Sequence, residues 1–135
     1  MNVRLDWGYT GHGEPSLEYS RVLYAYLHPS SKEILYLGKA DRCTVQERLY
    51  GKHKSQVFAD IVAGTGLTQF HAIVGTLSAE HRFSSALLSD VETLLIMGIQ
   101  PTYNRQARHS RTARPGLLVS CHGVWPHRYR RFNDA

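Results

Sequence analysis

Apolar and polar positions alternate along this chain at two distinct periods. Ser20–Leu27 (SRVLYAYL) is rich in β-branched and aromatic residues and reads as a strand. A period of two puts Val22, Tyr24 and Tyr26 on one face and Leu23, Ala25 and Leu27 on the other. Pro29–Lys32 is a turn and Glu33–Gly38 (EILYLG) a second strand, which predicts an antiparallel hairpin. Thr44-x-x-Glu47 has capping-box spacing, so a helix is expected from near Cys43 to about Lys52. Val57–Ala63 predicts a short helix closing at Gly64, and Gln69–Leu77 (QFHAIVGTL) a third strand. From about Ser84 to Met97, the residues Leu87, Leu88, Val91, Leu94 and Leu95 form a helical stripe, with Gly98 at the C′ position. Signals outside this stretch are weaker. Residues 1–19 are Gly-rich and irregular, with a short strand suggested at Asn2–Asp6, and Gly116–Cys121 (GLLVSC) is a candidate last strand.

This order predicts an α/β structure of the α+β type: a small central antiparallel sheet of about three strands, flanked by helices. A chain of 135 residues predicts one domain, 1–135, with enough buried surface for a real core. A hydrophobic content of 42% with 20% charged residues is a globular balance and argues against disorder. No internal repeat is visible. Gly64-Thr65-Gly66 reads as a helix terminator and not as a phosphate loop. No apolar run approaches the roughly 20 residues of a membrane span, and the first residues lack a signal-peptide pattern. The expected location is cytoplasmic or nucleoid-associated, not secreted. Cys43 and Cys121 stand far apart, which fits reduced, buried thiols better than a metal pair or a disulfide.

Charge narrows the partner. Sixteen Lys and Arg face eleven Asp and Glu, for a net charge of +5. From Arg105 onward there are seven arginines and no lysine, opposed only by Asp134. Guanidinium forks bind phosphate oxygens in pairs and stack on bases. Arg105, Arg108, Arg111 and Arg114, with Trp125 and Tyr129 further along the same stretch, therefore point to a nucleic-acid polyanion.

Candidate chemistry begins at Glu92, which interrupts the apolar stripe of its helix between Leu88 and Leu95. A carboxylate at the edge of a core needs a cation, a metal or a hydrogen-bond donor. Tyr24, Tyr26 and Tyr36 share the hairpin, Lys39 follows Gly38, and Arg48 lies one turn into the next helix. Taken singly, each has an ordinary structural reading.

Taken in order, the segments Val22-Leu23-Tyr24, Tyr36-Leu37-Gly38-Lys39, Glu47-Arg48-Leu49, Glu92-Thr93-Leu94-Leu95-Ile96 and Pro101-Thr102-Tyr103-Asn104 resemble the GIY-YIG nuclease family over residues 20–105. Residues 106–135 then form an Arg-rich C-terminal extension. The resemblance implies a divalent-metal-dependent endonuclease that hydrolyses phosphodiester bonds. It implies that Tyr24 and Tyr36 are the motif tyrosines, with Tyr24 favoured as base and Tyr36 orienting water. It further implies Arg48 on the phosphate, Glu92 on the metal (Mg²⁺ or Mn²⁺), Lys39 as the lysine of some branches, and Asn104 holding the Glu92 region. Two departures stand out. Val22-Leu23 replaces Gly-Ile, and Lys52 occupies a position where many members carry Tyr or His, with Tyr50 and His53 close by. Lys52 and His53 join the four tail arginines as expected nucleic-acid contacts. The eight histidines show no paired metal-ligand spacing.

The implied substrate is DNA, including structured or branched DNA, with RNA as a second candidate polymer. One metal site cuts one strand, so a homodimer is a further expected partner. The rival reading from another class is a non-catalytic nucleic-acid-binding module. Outside the matched motifs, only the first 19 residues, the Val57–Leu67 insert and the Arg-rich tail remain to confer specificity.

Overall fold

A computed structural model of the chain describes residues 1–11, 13–50, 55–67, 69–79, 82–104 and 116–133. Among the described residues, Ser20–Leu27 and Glu33–Gly38 fold as the expected hairpin of β2 (Val22–Leu27) and β3 (Ile34–Ala40). The pairing is antiparallel, with a bulge between Tyr26 and Leu27. β4 (His71–Ala79) pairs antiparallel with β2. These three strands correspond to the expected sheet.

The complete sheet is twice that size, and the expectation of about three antiparallel strands is corrected. It is a six-stranded mixed sheet in the order β3-β2-β4-β1-β5-β6. β1 (Asn2–Thr10) occupies its interior, antiparallel to β4 and parallel to β5 (Leu118–Gly123). β6 (Arg131–Asn133) closes the far edge against β5. The glycines of the first 19 residues suggested irregular chain. Yet Val3, Leu5 and Trp7 alternate inward along β1, the period-two pattern of a strand with one buried face.

Helices cover the sheet unequally. α3 (Ser85–Ile99) lies on the face formed by Leu23, Ala25, Leu27, Ile73, Leu5 and Val119, burying Leu87, Leu88, Val91 and Leu95 in one core. It touches both edge strands, β3 and β6, so the sheet curls around it. Ser84 caps its start, the Oγ accepting from Leu87 N–H at 3.0 Å. The helix runs past Gly98, and Gln100 takes the left-handed conformation expected there, with φ 54°. Gly98 instead admits the ring of Phe132, which lies 2.7 Å from where a β-carbon would be.

The opposite face carries a second core of Val22, Tyr24, Tyr26 and Val74 under α1 (Val45–Tyr50), α2 (Ser55–Thr65) and a 3-10 turn at Pro15–Glu18. Thr44 and Glu47 make the reciprocal capping bonds that start α1, each backbone N–H donating to the other's side chain at 3.2 Å. α2 extends one residue past Gly64, and Gly66, at φ 73°, turns the chain. Among the described residues no helix is long and apolar enough to cross a membrane.

Candidate active site

The candidate residues converge at the edge strand β3, where the two faces of the sheet meet. Tyr24 and Gly38 are cross-strand partners, as are Tyr26 and Tyr36, so the three rings project from the α1 side. Tyr24 and Tyr36 ring centroids lie 6.1 Å apart. Gly38 makes this packing possible. A β-carbon there would stand 2.8 Å from Tyr24 Oη and 3.0 Å from Tyr36 Cε1. Lys39 pairs with Leu23 and so points to the other face, where its Nζ donates to Ser89 Oγ on α3.

Glu92 lies one turn beyond Ser89 on the same helix. It couples electrostatically to Tyr36, Lys39 and Arg48 around the β3 edge. Arg48 in turn acts on Tyr24, Tyr36 and Glu92. The structure thus brings together Tyr24, Tyr36, Lys39, Arg48 and Glu92 from β2, β3, α1 and α3.

Electrostatics distinguish their roles. Burial pushes the Tyr24 phenol well above its ordinary range, and Tyr36 adds to this while Arg48 opposes it. Tyr36 is also raised, by burial first and by the Glu92 charge second; Tyr24 and Arg48 pull it down. At both phenols desolvation outweighs the opposing pull of Arg48. Burial likewise raises Glu92, against the pull of Lys39 and then Arg48.

Neither cation closes an ion pair with Glu92. Among the described residues the one pair within 4 Å is Arg4–Asp6. Glu92 is therefore a half-buried carboxylate with no ion-pair partner there. The fit to Mg²⁺ or Mn²⁺ is that of a single-carboxylate site, since no group of three or more His, Cys, Asp and Glu gathers among the described residues. Arg48 Nε is buried and also lacks a protein acceptor among them. The site thus presents an unpaired hard anion beside an unused guanidinium donor.

Asn104 has a different task from the one expected. It is 2% exposed, and its amide brackets the backbone of Leu37. Oδ1 accepts from Leu37 N–H at 2.9 Å and Nδ2 donates to Leu37 O at 2.7 Å. Tyr103 N–H donates to Leu35 O at 3.0 Å. The Pro101–Asn104 segment thus closes part of the open edge of β3, and Asn104 fixes the strand that carries Tyr36 and Gly38. Its bonds go to β3, not to the Glu92 helix.

Lys52, His53, Arg105, Arg108, Arg111 and Arg114 lie outside the described residues. Further along, Trp125 is buried against Trp7, with ring centroids 4.9 Å apart, and its Nε1 donates to Tyr129 O at 2.7 Å. It is a core residue and not a base-stacking one. Arg130 donates to the carbonyls of Cys121 and Trp125. Burial pushes the Cys121 thiol up to about 12, so it stays protonated and inert. Tyr26, passed over as a site residue in sequence, touches both motif tyrosines with centroids 6.0 and 6.1 Å away. Its place beside Tyr24 in the strand alternation was the available signal.

Comparison with family models, with curated proteins and with solved structures finds no match to this chain.

Proposed function

We propose that the chain is a divalent-metal-dependent endonuclease acting on DNA. The observation that supports it most is the gathering of Tyr24, Tyr36, Lys39, Arg48 and Glu92 at the β3 edge, with Glu92 outside any described ion pair. Phosphodiester hydrolysis needs a positioned water, charge stabilisation at the phosphoryl oxygens and relief of charge on the leaving oxygen. Arg48 suits the second need, because its buried, unused Nε–H can be directed at a phosphoryl oxygen in a low-dielectric setting. Tyr24 Oη and the ring edge of Tyr36 pack over Gly38, and a phenol held there would orient a water and, once ionised, take its proton. Glu92 would hold the cation, which when bound supplies Lewis-acid polarisation of the phosphate. Lys39, anchored on Ser89, adds positive charge beside Glu92.

The test is cleavage of plasmid, single-stranded and branched DNA by the purified chain with Mg²⁺ or Mn²⁺, repeated in EDTA. Cleavage abolished by EDTA and by Glu92→Gln is expected. Cleavage that persists in EDTA removes the metal role. Binding with no cleavage on any substrate favours a non-catalytic nucleic-acid-binding module.

A further inference from the structure

The strand register carries the tyrosine-bearing face of the sheet far beyond the site. Tyr24 is opposite Val74, and Val74 is opposite Gly8. Side chains two residues along a strand share a face. The face bearing Tyr24 therefore continues through Thr76 and Ser78 on β4, Arg4 and Asp6 on β1, Ser120 and His122 on β5, and Arg131 on β6. The pairings place these in two rows, Ser78–Arg4–Ser120–Arg131 and Thr76–Asp6–His122.

Under α1 and α2 this face is apolar. Over β1, β5 and β6 it is open and carries polar side chains beside the half-buried Leu118: Arg4, Ser78 and Arg131 are exposed, and a groove of about 500 Å³ with a partly apolar floor runs between them. The change cannot be a demand of the sheet itself, since the opposite face stays apolar across the same strands. Gly8 adds no side chain between the polar rows and Val74, and nothing lies within 4 Å of where its β-carbon would be. Past Gly8 a second groove of about 420 Å³, lined by Asp6, Gly8, Val74 and Thr76, is walled by Glu14 and Tyr19 on either side of the Pro15–Glu18 turn, which packs over Val74 and Tyr24.

We infer that this polar half-sheet is a track for the backbone of duplex DNA, leading the substrate to the β3-edge site. This rests on the nuclease reading for its direction, and the charge pattern chooses the occupant. Arg4 and Arg131 stand two strand spacings apart, about 10 Å, with the Ser120 hydroxyl between them and Ser78 beside Arg4. Guanidinium and hydroxyl groups at this spacing suit phosphate oxygens and carry no base code. The acid on the track, Asp6, is tied to Arg4 at 3.0 Å with both side chains about half exposed. Such a pair is worth at most about 1 kcal/mol and yields readily to a phosphate. The track would give the substrate a surface outside the catalytic cluster, built into the same sheet.

The experiment measures binding of a short labelled duplex across a salt series, every protein carrying Glu92→Gln so that the DNA stays whole. Arg4→Gln/Arg131→Gln should weaken binding to unrelated sequences alike and flatten the log–log salt slope by about 1.8, at about 0.9 per lost phosphate contact. Arg4→Lys/Arg131→Lys should keep the slope, because charge sets it. Asp6→Asn should tighten binding, by freeing Arg4 and removing a repulsive charge. Lys32→Gln, the loss of one positive charge at the opposite end of β4 beside His71, should leave the slope at its starting value. An unchanged slope in the Gln double variant, or weaker binding by Asp6→Asn, overturns the track. Cleavage by the unsubstituted protein is assayed in parallel: its absence overturns the nuclease reading, while the salt slopes still decide the track.

Discussion

Replacing Asn104 by Ala should reveal how much of the site depends on one buried amide. The wild-type side chain satisfies both polar groups of Leu37, at 2.9 and 2.7 Å, and Leu37 is fully buried. Ala leaves that N–H and that carbonyl without partners. Each orphaned group costs about 1–3 kcal/mol, and a water entering the space vacated by the amide recovers part of it. A loss of about 2–4 kcal/mol follows, a large share of the 5–15 kcal/mol typical of a domain. At about 4 °C per kcal/mol for a chain of this size, the melting point should fall by about 8–16 °C.

Asn104→Asp sharpens the test. It keeps an acceptor for Leu37 N–H but sets an oxygen against Leu37 O, which is tolerable only when the acid is protonated. Its folded pKa must therefore lie above the unfolded value of about 3.9. Stability is then greatest below that value and is lost as pH rises through the folded one. Urea melts at neutral and acid pH should show the Asp variant recovering in acid, relative to the Ala variant. Cleavage should fall with the loss of order in β3. An Ala variant with wild-type stability would refute the clamp, and if its cleavage had vanished as well, Asn104 would be a catalytic residue.

Three further expectations follow from the same geometry. Glu92 has its pKa raised chiefly by burial, so its charge destabilises the fold as pH rises from the unfolded value through the folded one, and no such penalty exists below. Glu92→Gln should therefore raise the metal-free melting point at neutral pH but not in acid. Mg²⁺ at ten times its dissociation constant should stabilise the wild type by about 1.4 kcal/mol, roughly 6 °C, and leave the Gln variant unmoved; equal shifts in both would place the cation elsewhere. Gly38→Ala forces a β-carbon to within 2.8 Å of Tyr24 Oη. It should cost about 1–3 kcal/mol in a urea melt and slow single-turnover cleavage by about tenfold or more; an unchanged rate would mean the tyrosine pair does not need its seat.

What the sequence disclosed was local. The hairpin, the division of Val22, Tyr24 and Tyr26 from Leu23, Ala25 and Leu27, the Thr44–Glu47 box and the Ser84 start of α3 depend on residues within a few positions of one another. The half-sheet depends on distant ones. β1 acquires its parallel partner from Leu118 onward, and no periodicity announces a pairing across that separation. β6 is too short to show alternation, and the arginines around it suggested a tail. Gly98 looked like a terminator because its true reason, the ring of Phe132, arrives from the other end of the chain. In the site, residue types and order were readable, but the electrostatic balance was not. Whether Arg48 or desolvation controls a tyrosine depends on how much protein surrounds the hydroxyl.

That balance bears on which tyrosine can serve as base under the proposed reading. Tyr24 was the sequence choice, yet it is 5% exposed, and its pKa is raised by burial and then by Tyr36. Tyr36 is more open, and its coupling to Tyr24 acts in the opposite sense, easing loss of its proton. After burial, the main obstacle to a Tyr36 phenolate is repulsion from Glu92. Any positive charge brought onto that carboxylate removes the repulsion, and a phosphate drawn to Arg48 has no such effect. Tyr36 is therefore the hydroxyl whose acidity responds to occupancy of Glu92, while Tyr24, deeper and coupled in the unfavourable sense, is suited to hold Tyr36 in place. The same argument makes the cation-free protein a poor base at neutral pH, since burial keeps both phenols protonated and the Glu92 charge adds to this at Tyr36.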